Sequence, residues 1–173
     1  HSMKQIPLAL GPDSAFDFQN FMTGDNTQLL HTLRDAALPS GPIYLWGPAG
    51  SGKSHLLNAT AHRVVAEGGT GLWAGPNRPL PWEWPDEDPV RSHLLAVIDD
   101  CHQLDADQQQ AAFGLFVKGA CAGHSILAAG AYPPIDLPLR DDLRSRLGWG
   151  LVFKTEPLTD EAVDQVLRQE AAR

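Results

Sequence analysis

The chain has 173 residues, two cysteines and a net charge of −8 at pH 7. The length suits one domain with a full hydrophobic core. The net negative charge argues against a domain that binds the phosphates of nucleic acid, because such binding needs a basic surface. We therefore expect little direct DNA binding. Two cysteines give no disulfide framework, which suits a reducing cytoplasm. No apolar run in the sequence is long enough to cross a membrane.

The start of the chain divides into a tag-like dipeptide and an extended segment. Residues 1–2 look like the remnant of a cleaved expression tag and are excluded from the fold. Residues 3–14 carry no helical period, and Pro7 disfavours a helix at the residue before it, so we predict an extended peptide. Such a peptide either docks into a groove on a partner or folds onto its own domain as a terminal strand. The side chains best placed for docking are Gln5, Ile6, Leu8 and Leu10.

Strands and helices then alternate along residues 15–158, the predicted domain. Apolar runs bounded by Gly and Pro predict strands, and apolar residues three or four apart predict helices. The predicted strands are Ile43–Trp46, Gly71–Ala74, Leu94–Ile98, Ser125–Gly130 and Leu151–Lys154. The predicted helices are one capped near Thr27 and ending before Pro39, Ser54 to about Glu67, Asp105 to about Ala122, Leu143–Leu147, and one starting near Thr159. This alternation predicts a three-layer α/β/α sandwich around a parallel sheet.

A proline-rich stretch separates the second and third predicted strands. Residues 75–89 contain five prolines, which predicts an irregular loop. Trp82 and Trp84 in this loop either pack back on the domain or contact a partner. We favour packing, because exposed Trp is uncommon.

Residues 47–54 read G-P-A-G-S-G-K-S and match the pattern of a phosphate-binding loop. The match follows a predicted strand and opens a predicted helix, which is the context that this pattern needs. Glycines allow the backbone N–H groups to point at phosphate oxygens, the Lys53 ammonium would reach the outer phosphates, and the Ser54 hydroxyl would hold Mg²⁺. The predicted contacts of ADP or ATP are Pro48, Ala49, Gly50, Ser51, Gly52, Lys53, Ser54 and His55.

A pair of carboxylates follows the most apolar predicted strand. Asp99 and Asp100 end the run Leu94–Ile98, at the edge of an open α/β sheet where ligands bind. We predict that Asp99 lies on the Mg²⁺ side and that Asp100 orients the attacking water. The alternative is that the pair only caps the next turn.

Cysteine, histidine and arginine residues elsewhere in the chain could bind a metal ion or a phosphate. Cys101-His102 and the Cys121–His124 stretch lack the paired spacing of a zinc site, so we predict no zinc. Arg144 and Arg146 lie on a short predicted helix. They are either solvated surface charges, or one of them reaches the γ-phosphate held by a neighbouring subunit.

Several of these stretches together resemble the AAA+ initiator clade. The resemblance covers most of residues 5–160. It rests on the stretch before the first helix, the strand and phosphate loop, the carboxylate strand, a Tyr-Pro-Pro turn, an arginine-finger box and the N-terminal peptide. These are residues 18–26, 43–57, 95–100, 132–134, 145–150 and 5–10. The peptide and the box S-R-L-G-W-G are the most specific parts.

The resemblance implies a regulator of replication initiation rather than a motor. It implies that Phe21 packs near the adenine, that residues 5–10 bind the DNA polymerase III sliding clamp, and that Arg146 is an arginine finger. The partners implied are DnaA, whose ATP hydrolysis would be stimulated, and the clamp. The implied cofactors are ADP or ATP with Mg²⁺.

Two departures from the clade's pattern shape these expectations. Ala131 stands where the clade usually has a polar sensor residue, so we expect weak or no ATPase activity from the chain itself. Residues 159–173 match only the start of the clade's C-terminal helical lid, so the lid is expected to be missing. The alternatives kept open are an autonomous ATPase of the helicase-loader type and a nucleotide-gated module that uses the Trp82/Trp84 loop.

Overall fold

A five-stranded parallel sheet forms the centre of the computed structural model, which describes residues 27–35, 38–85 and 94–155. The order across the sheet is β2-β3-β4-β1-β5, and every pairing is parallel. The strand that leads into the phosphate loop therefore lies between the fourth and fifth strands. The strands are β1 (Gly41–Trp46), β2 (Thr70–Ala74), β3 (Leu94–Ile98), β4 (Ser125–Gly130) and β5 (Leu151–Lys154).

Four helices within the described ranges cover the sheet. Alpha-helical Thr27–Leu30 (α1) continues as a π-helical turn, His31–Asp35. The others are α2 (Lys53–Ala66), α3 (Ala106–Ala122) and α4 (Asp141–Leu147), and Cys101–Gln103 and Pro134–Asp136 form 3₁₀ turns. Asp105 caps α3: its side chain accepts from the Gln108 N–H while the Gln108 side chain accepts from the Asp105 N–H.

Alternate residues of the central strands pack into two separate hydrophobic cores, one on each face of the sheet. On one face Ile43, Leu45 and Val97 pack with α1 and α2. On the other face Tyr44 and Ile98 pack with α3 and α4. Both faces are apolar because helices cover both, as is typical of parallel sheets. The predicted three-layer α/β/α sandwich with a parallel sheet is confirmed.

The differences from the predicted elements lie at their ends. Strand β1 starts two residues earlier than predicted, at Gly41, because pairing with β4 extends back to Ser125. Helix α4 also starts two residues earlier, at Asp141. The π-helical turn in the first helix was not predicted, since the apolar spacing there suits an α-helix equally well. The helix predicted from Thr159 lies outside the described residues.

The loop after β2 packs against α3, as favoured from the sequence. Trp82 is 5% exposed and belongs to the core beside α3. The indole N–H of Trp84 donates to the Leu115 carbonyl at 3.0 Å, and its ring lies 4.6 Å from that of His124. Gly119 faces this ring so closely that a Cβ there would lie 3.0 Å from it.

No helix in the described ranges has both the length and the apolar character needed to span a bilayer.

Candidate phosphate-binding site

The loop between β1 and α2 is shaped by two left-handed glycines. Gly50 and Gly52 have φ angles of 84° and 88°, which residues with a Cβ rarely adopt. The turn is closed by a hydrogen bond from the Ser51 N–H to the Pro48 carbonyl at 3.2 Å. Pro48, Ala49 and Gly50 are exposed at its outer rim. These two positive φ angles and the closing hydrogen bond give the loop the tight turn that a phosphate-binding loop needs.

A residue far along the chain braces this loop. Thr155, fully buried, lies beside Gly47, and a Cβ on that glycine would meet the Thr155 hydroxyl and lie 2.5 Å from its carbonyl oxygen. The hydroxyls of Ser51 and Thr155 are 2.7 Å apart and hydrogen bonded. The Thr155 N–H donates to the Trp46 carbonyl at 2.8 Å, which fixes Thr155 beside the end of β1. No local pattern in the sequence pointed to Thr155, because its contacts are long-range.

The Lys53 ammonium lies over the loop that precedes it. It donates to the carbonyls of Gly47 and Pro48 at 2.6 and 2.8 Å. Burial lowers the pKa of Lys53, and the charges of Asp99 and Asp100 oppose that shift. A cation at this point, with the first turn of α2 beside it, would attract an anion.

The start of α2 offers backbone donors to the same space. The first N–H groups of a helix have no acceptor within the helix, and Gly52 provides no side-chain cap. With Lys53, Ser54 and His55 in the first turn, these donors lie where the loop opens. The arrangement is therefore a cradle of N–H groups next to an ammonium, which suits a phosphate chain.

The two predicted magnesium-side residues are brought together. The Ser54 hydroxyl donates to Asp99 Oδ2 at 2.7 Å, across 45 residues of sequence. The other carboxylate oxygen accepts from the Asp100 N–H at 2.9 Å. Burial raises the pKa of Asp99, and the hydrogen bond from Ser54 opposes that shift. Two hard oxygen donors at the mouth of the cradle fit Mg²⁺, which takes few protein ligands beside phosphate oxygens and water.

Asp100 adopts an unusual backbone conformation at this edge. Its φ of 47° is the one positive value among the described non-glycine residues. Such conformations cluster at functional sites. The geometry places Asp100 directly after the Asp99 carboxylate, at the start of the turn Cys101–Gln103.

Two further polar side chains border this edge and were missed from the sequence. Arg78 lies close enough to Asp99 for that carboxylate to raise its pKa, although burial lowers the pKa overall. The imidazole of His102 accepts from the Ala131 N–H through Nδ1 at 3.2 Å, so this ring borders the predicted sensor position. Both come from segments that the spacing of apolar residues could not place.

Arg146 lies on α4, apart from the loop, and differs from its arginine neighbours. Arg140 pairs with Asp142 at 2.6 Å, and Arg144 pairs with Asp141. Among the residues that the structure describes, no carboxylate pairs with Arg146. Its guanidinium instead lies over two aromatic rings.

The remaining predicted site residues fall outside the described ranges. They are Phe21, Gln5, Ile6, Leu8 and Leu10. Within those ranges no group of three or more His, Cys, Asp or Glu side chains is placed to hold a metal ion. The sulfur atoms of Cys101 and Cys121 form no disulfide.

Comparison with solved structures identifies the architecture. No family model matches the chain. Domain III of the Thermotoga maritima replication initiation protein DnaA superposes with a TM-score of 0.74 at 21% identity, over 96% of this chain and 76% of that one.

The chain has an α/β P-loop NTPase-like fold.

Longer proteins contain the same fold. A DNA replication initiation factor matches with a TM-score of 0.71 at 18% identity, over 91% of this chain and 54% of that one. The AMPPCP-bound DnaA from Aquifex aeolicus gives 0.69 at 19% identity, over 92% and 56%. This chain thus spans about half the length of these two proteins.

Proposed function

We propose that the chain binds an adenine nucleotide, ADP or ATP, together with Mg²⁺. The observation that carries the proposal is the hydrogen bond between Ser54 and Asp99, which joins the phosphate loop to the carboxylate strand. The Aquifex aeolicus DnaA with the same fold is described as AMPPCP-bound, which favours an adenine nucleotide.

Each side chain of the cradle has a distinct role in this proposal. Lys53 would exchange its two carbonyl acceptors for phosphate oxygens, and the N–H groups of the loop and of the first turn of α2 would bind the rest. Ser54 and Asp99 would hold Mg²⁺, Asp99 through water. Mg²⁺ supplies positive charge that neutralises the phosphate oxygens. His55 lies in the same helical turn, and Phe21 would pack near the adenine.

We further propose that the protein is a replication-initiation regulator of the Hda type. In this proposal the chain, bound to ADP, docks on the DNA-loaded sliding clamp through residues 5–10 and supplies Arg146 to DnaA–ATP. DnaA then hydrolyses its own ATP. The proposal is supported by the resemblance of these stretches. It is also supported by the Arg146 guanidinium on α4, which, among the described residues, lacks a carboxylate partner of the kind that Arg140 and Arg144 have. An arginine finger supplied in trans can be worth about 10³–10⁵ in rate.

The chain's own hydrolysis is proposed to be weak. Asp100 would orient a water, but Ala131 directly follows the neighbouring strand β4, and its methyl group offers no hydrogen bond to a γ-phosphate. The competing proposal, an autonomous ATPase of the helicase-loader type, needs measurable turnover by the isolated chain. Release of phosphate from ATP by the chain alone, lost in Asp100→Asn, would favour that competitor.

Nucleotide binding is tested by calorimetry with ADP and ATP, with and without Mg²⁺. We expect binding by the parent chain and at least tenfold weaker binding by Lys53→Ala. Lys118→Ala is the matched control, because Lys118 is an exposed lysine on α3. Absence of heat with either nucleotide, or equal affinity of the two variants, would contradict the proposal.

Stimulation of DnaA is tested by the rate of ATP hydrolysis by DnaA in the presence of the chain and clamp-loaded DNA. We expect Arg146→Lys to abolish stimulation, because an ammonium cannot bind a phosphate in the bidentate manner of a guanidinium. Arg140→Lys, which keeps a charge beside the Asp142 carboxylate, should still stimulate. Full activity of the first variant would exclude Arg146 as the finger.

Clamp docking is tested by retention on immobilised sliding clamp. Replacing Gln5 and Leu8 by Ala should abolish retention, whereas Ala9→Ser in the same peptide should preserve it. Retention of the double variant would show that the peptide is not the docking element, and nucleotide binding would be unaffected by that result.

A further inference from the structure

The guanidinium of Arg146 is held by two aromatic rings from different elements. Its Cζ lies 5.0 Å from the ring centre of Trp149 and 5.8 Å from that of Phe113. Both distances fall within the range of a cation–π contact. Phe113 belongs to α3, whereas Trp149 follows the end of α4.

The two rings differ in how firmly the fold holds them. Phe113 is half-buried on α3, between the buried residues Ala112 and Leu115. Trp149 is 70% exposed, and its backbone N–H donates to the Arg146 carbonyl at 3.3 Å. One ring is thus half-buried on α3, and the other lies at the surface beside the cation.

The neighbouring Arg140 shows how an arginine is held when carboxylate and amide oxygens, as well as a ring, bind its guanidinium. Its guanidinium lies 5.5 Å from the same Phe113 ring but also donates to Asp142 and to the Gln110 side chain. Its charge is paired with a carboxylate, and three of its five N–H donors are in use. Arg146 has the ring contact without those acceptors, among the residues that the structure describes.

This difference matters for binding an anion. A carboxylate occupies N–H donors and cancels the charge, whereas a ring attracts the flat face of the guanidinium and leaves its five N–H donors at the edge. Two rings therefore restrict the direction of the side chain without using the groups that would bind phosphate. Restricting a flexible side chain beforehand lowers the entropy lost when it binds.

We propose that Phe113 and Trp149 are positioning residues that fix the direction of the Arg146 guanidinium for a phosphate on a partner protein. The inference rests on the proposed function, in which that phosphate is the γ-phosphate of ATP bound to DnaA. Trp149 would become buried in the complex, next to the cation that it orients.

The first test measures the side chain without any partner. In NMR of ¹⁵N-labelled protein, the Nε–Hε group of Arg146, assigned by its loss in Arg146→Lys, should behave as an ordered group. Trp149→Leu and Phe113→Leu should bring its order parameter below about 0.6, the range of flexible groups. Trp149→Phe keeps a ring at the same position and should retain most of the order.

The second test measures the consequence for stimulated hydrolysis by DnaA. Trp149→Leu should lower the maximal stimulated rate about two- to fivefold, the range expected for one cation–π contact at an exposed site. The concentration of the chain that gives half-maximal stimulation should change less than twofold. Trp149→Phe should recover most of the rate, which a loss of general apolar surface would not explain.

The outcomes separate the two proposals. If the parent chain stimulates DnaA but Trp149→Leu and Phe113→Leu match it, the positioning role is wrong and the proposed function stands. If the parent chain gives no stimulation, the proposed function is wrong, and the NMR order of Arg146 alone decides whether the rings hold it. A rise in the half-maximal concentration with an unchanged maximal rate would also overturn the positioning role, since it would show a docking contact.

Discussion

The bond between Ser51 and Thr155 offers a direct test of how the phosphate loop is held. Thr155→Val replaces the hydroxyl by a methyl group of similar shape, while the Thr155 N–H can still donate to the Trp46 carbonyl. Among the described residues, the buried Ser51 hydroxyl then keeps the Lys53 ammonium, at 3.4 Å, as its one hydrogen-bond partner. A buried polar group without its partner costs about 1–3 kcal/mol.

The assay is urea unfolding, combined with the affinity for ADP. We expect Thr155→Val to lower the free energy of unfolding by about 1–3 kcal/mol, because the hydroxyl loses its hydrogen bonds to Ser51 at 2.7 Å and to the Trp46 carbonyl at 3.3 Å. For a chain of this size each kcal/mol should lower the melting temperature by about 2–4 °C. ADP affinity should fall as well, since the loop loses the contact that fixes Ser51.

A double-mutant cycle isolates this contact from general effects of the substitution. Combining Ser51→Ala with Thr155→Val removes both hydroxyls, so neither is left without a partner. The double variant should therefore lose less free energy of unfolding than the two single variants together, by at least about 0.5 kcal/mol. Thr60→Val is the matched control: Thr60 is equally buried, but its hydroxyl donates to the Leu56 carbonyl within α2. Additive losses in the cycle, or unchanged ADP affinity in Thr155→Val, would refute the idea that Thr155 braces the loop.

Three further predictions concern single groups. Because folding raises the pKa of Asp99, the contribution of Asp99 to the free energy of unfolding should fall as the pH rises from its unfolded pKa of about 3.9 through its folded pKa. Asp99→Asn should therefore be more stable than its parent at pH 7 and lose that advantage near pH 4 in urea titrations. Gly47→Ala should lower the free energy of unfolding by about 1–3 kcal/mol, because the new Cβ would lie 2.5 Å from a carbonyl oxygen. In the control Gly114→Ala on α3, the new Cβ meets no atom within 4 Å, so this variant should not be destabilised. Burial raises the pKa of Cys101 to about 12, so a thiol reagent should label only the exposed Cys121 in the native protein. After unfolding it should label both cysteines. Labelling of both cysteines in the native protein would contradict the buried position of Cys101.

The sequence was most informative where the pattern is local. The apolar run Leu94–Ile98 predicted β3 with its observed ends, because a strand covered on both faces needs apolar residues throughout. The phosphate loop was recognisable because its glycines and lysine are close neighbours. The cap at Asp105 could likewise be read from residues three positions apart.

Features that depend on distant residues could not be read in this way. Thr155 contacts the loop across 104 positions, and nothing in its own neighbourhood marks it. The pairing of Phe113 with Arg146 depends on how α3 packs against α4, which spacing along either helix does not specify. The same holds for His102 beside Ala131, where two strand ends meet.

The pairing of β5 with β1 has a consequence for how the protein is made. A ribosome would release the loop's own residues long before Thr155, so a nascent chain has the motif without its brace. Pairing of such distant segments is also slow, because the intervening chain must first be ordered. Competence to capture a nucleotide should therefore arise only once β5 and Thr155 have been synthesised and paired with β1. A proteolytic cut between α4 and β5 should remove it while leaving every residue of the motif intact.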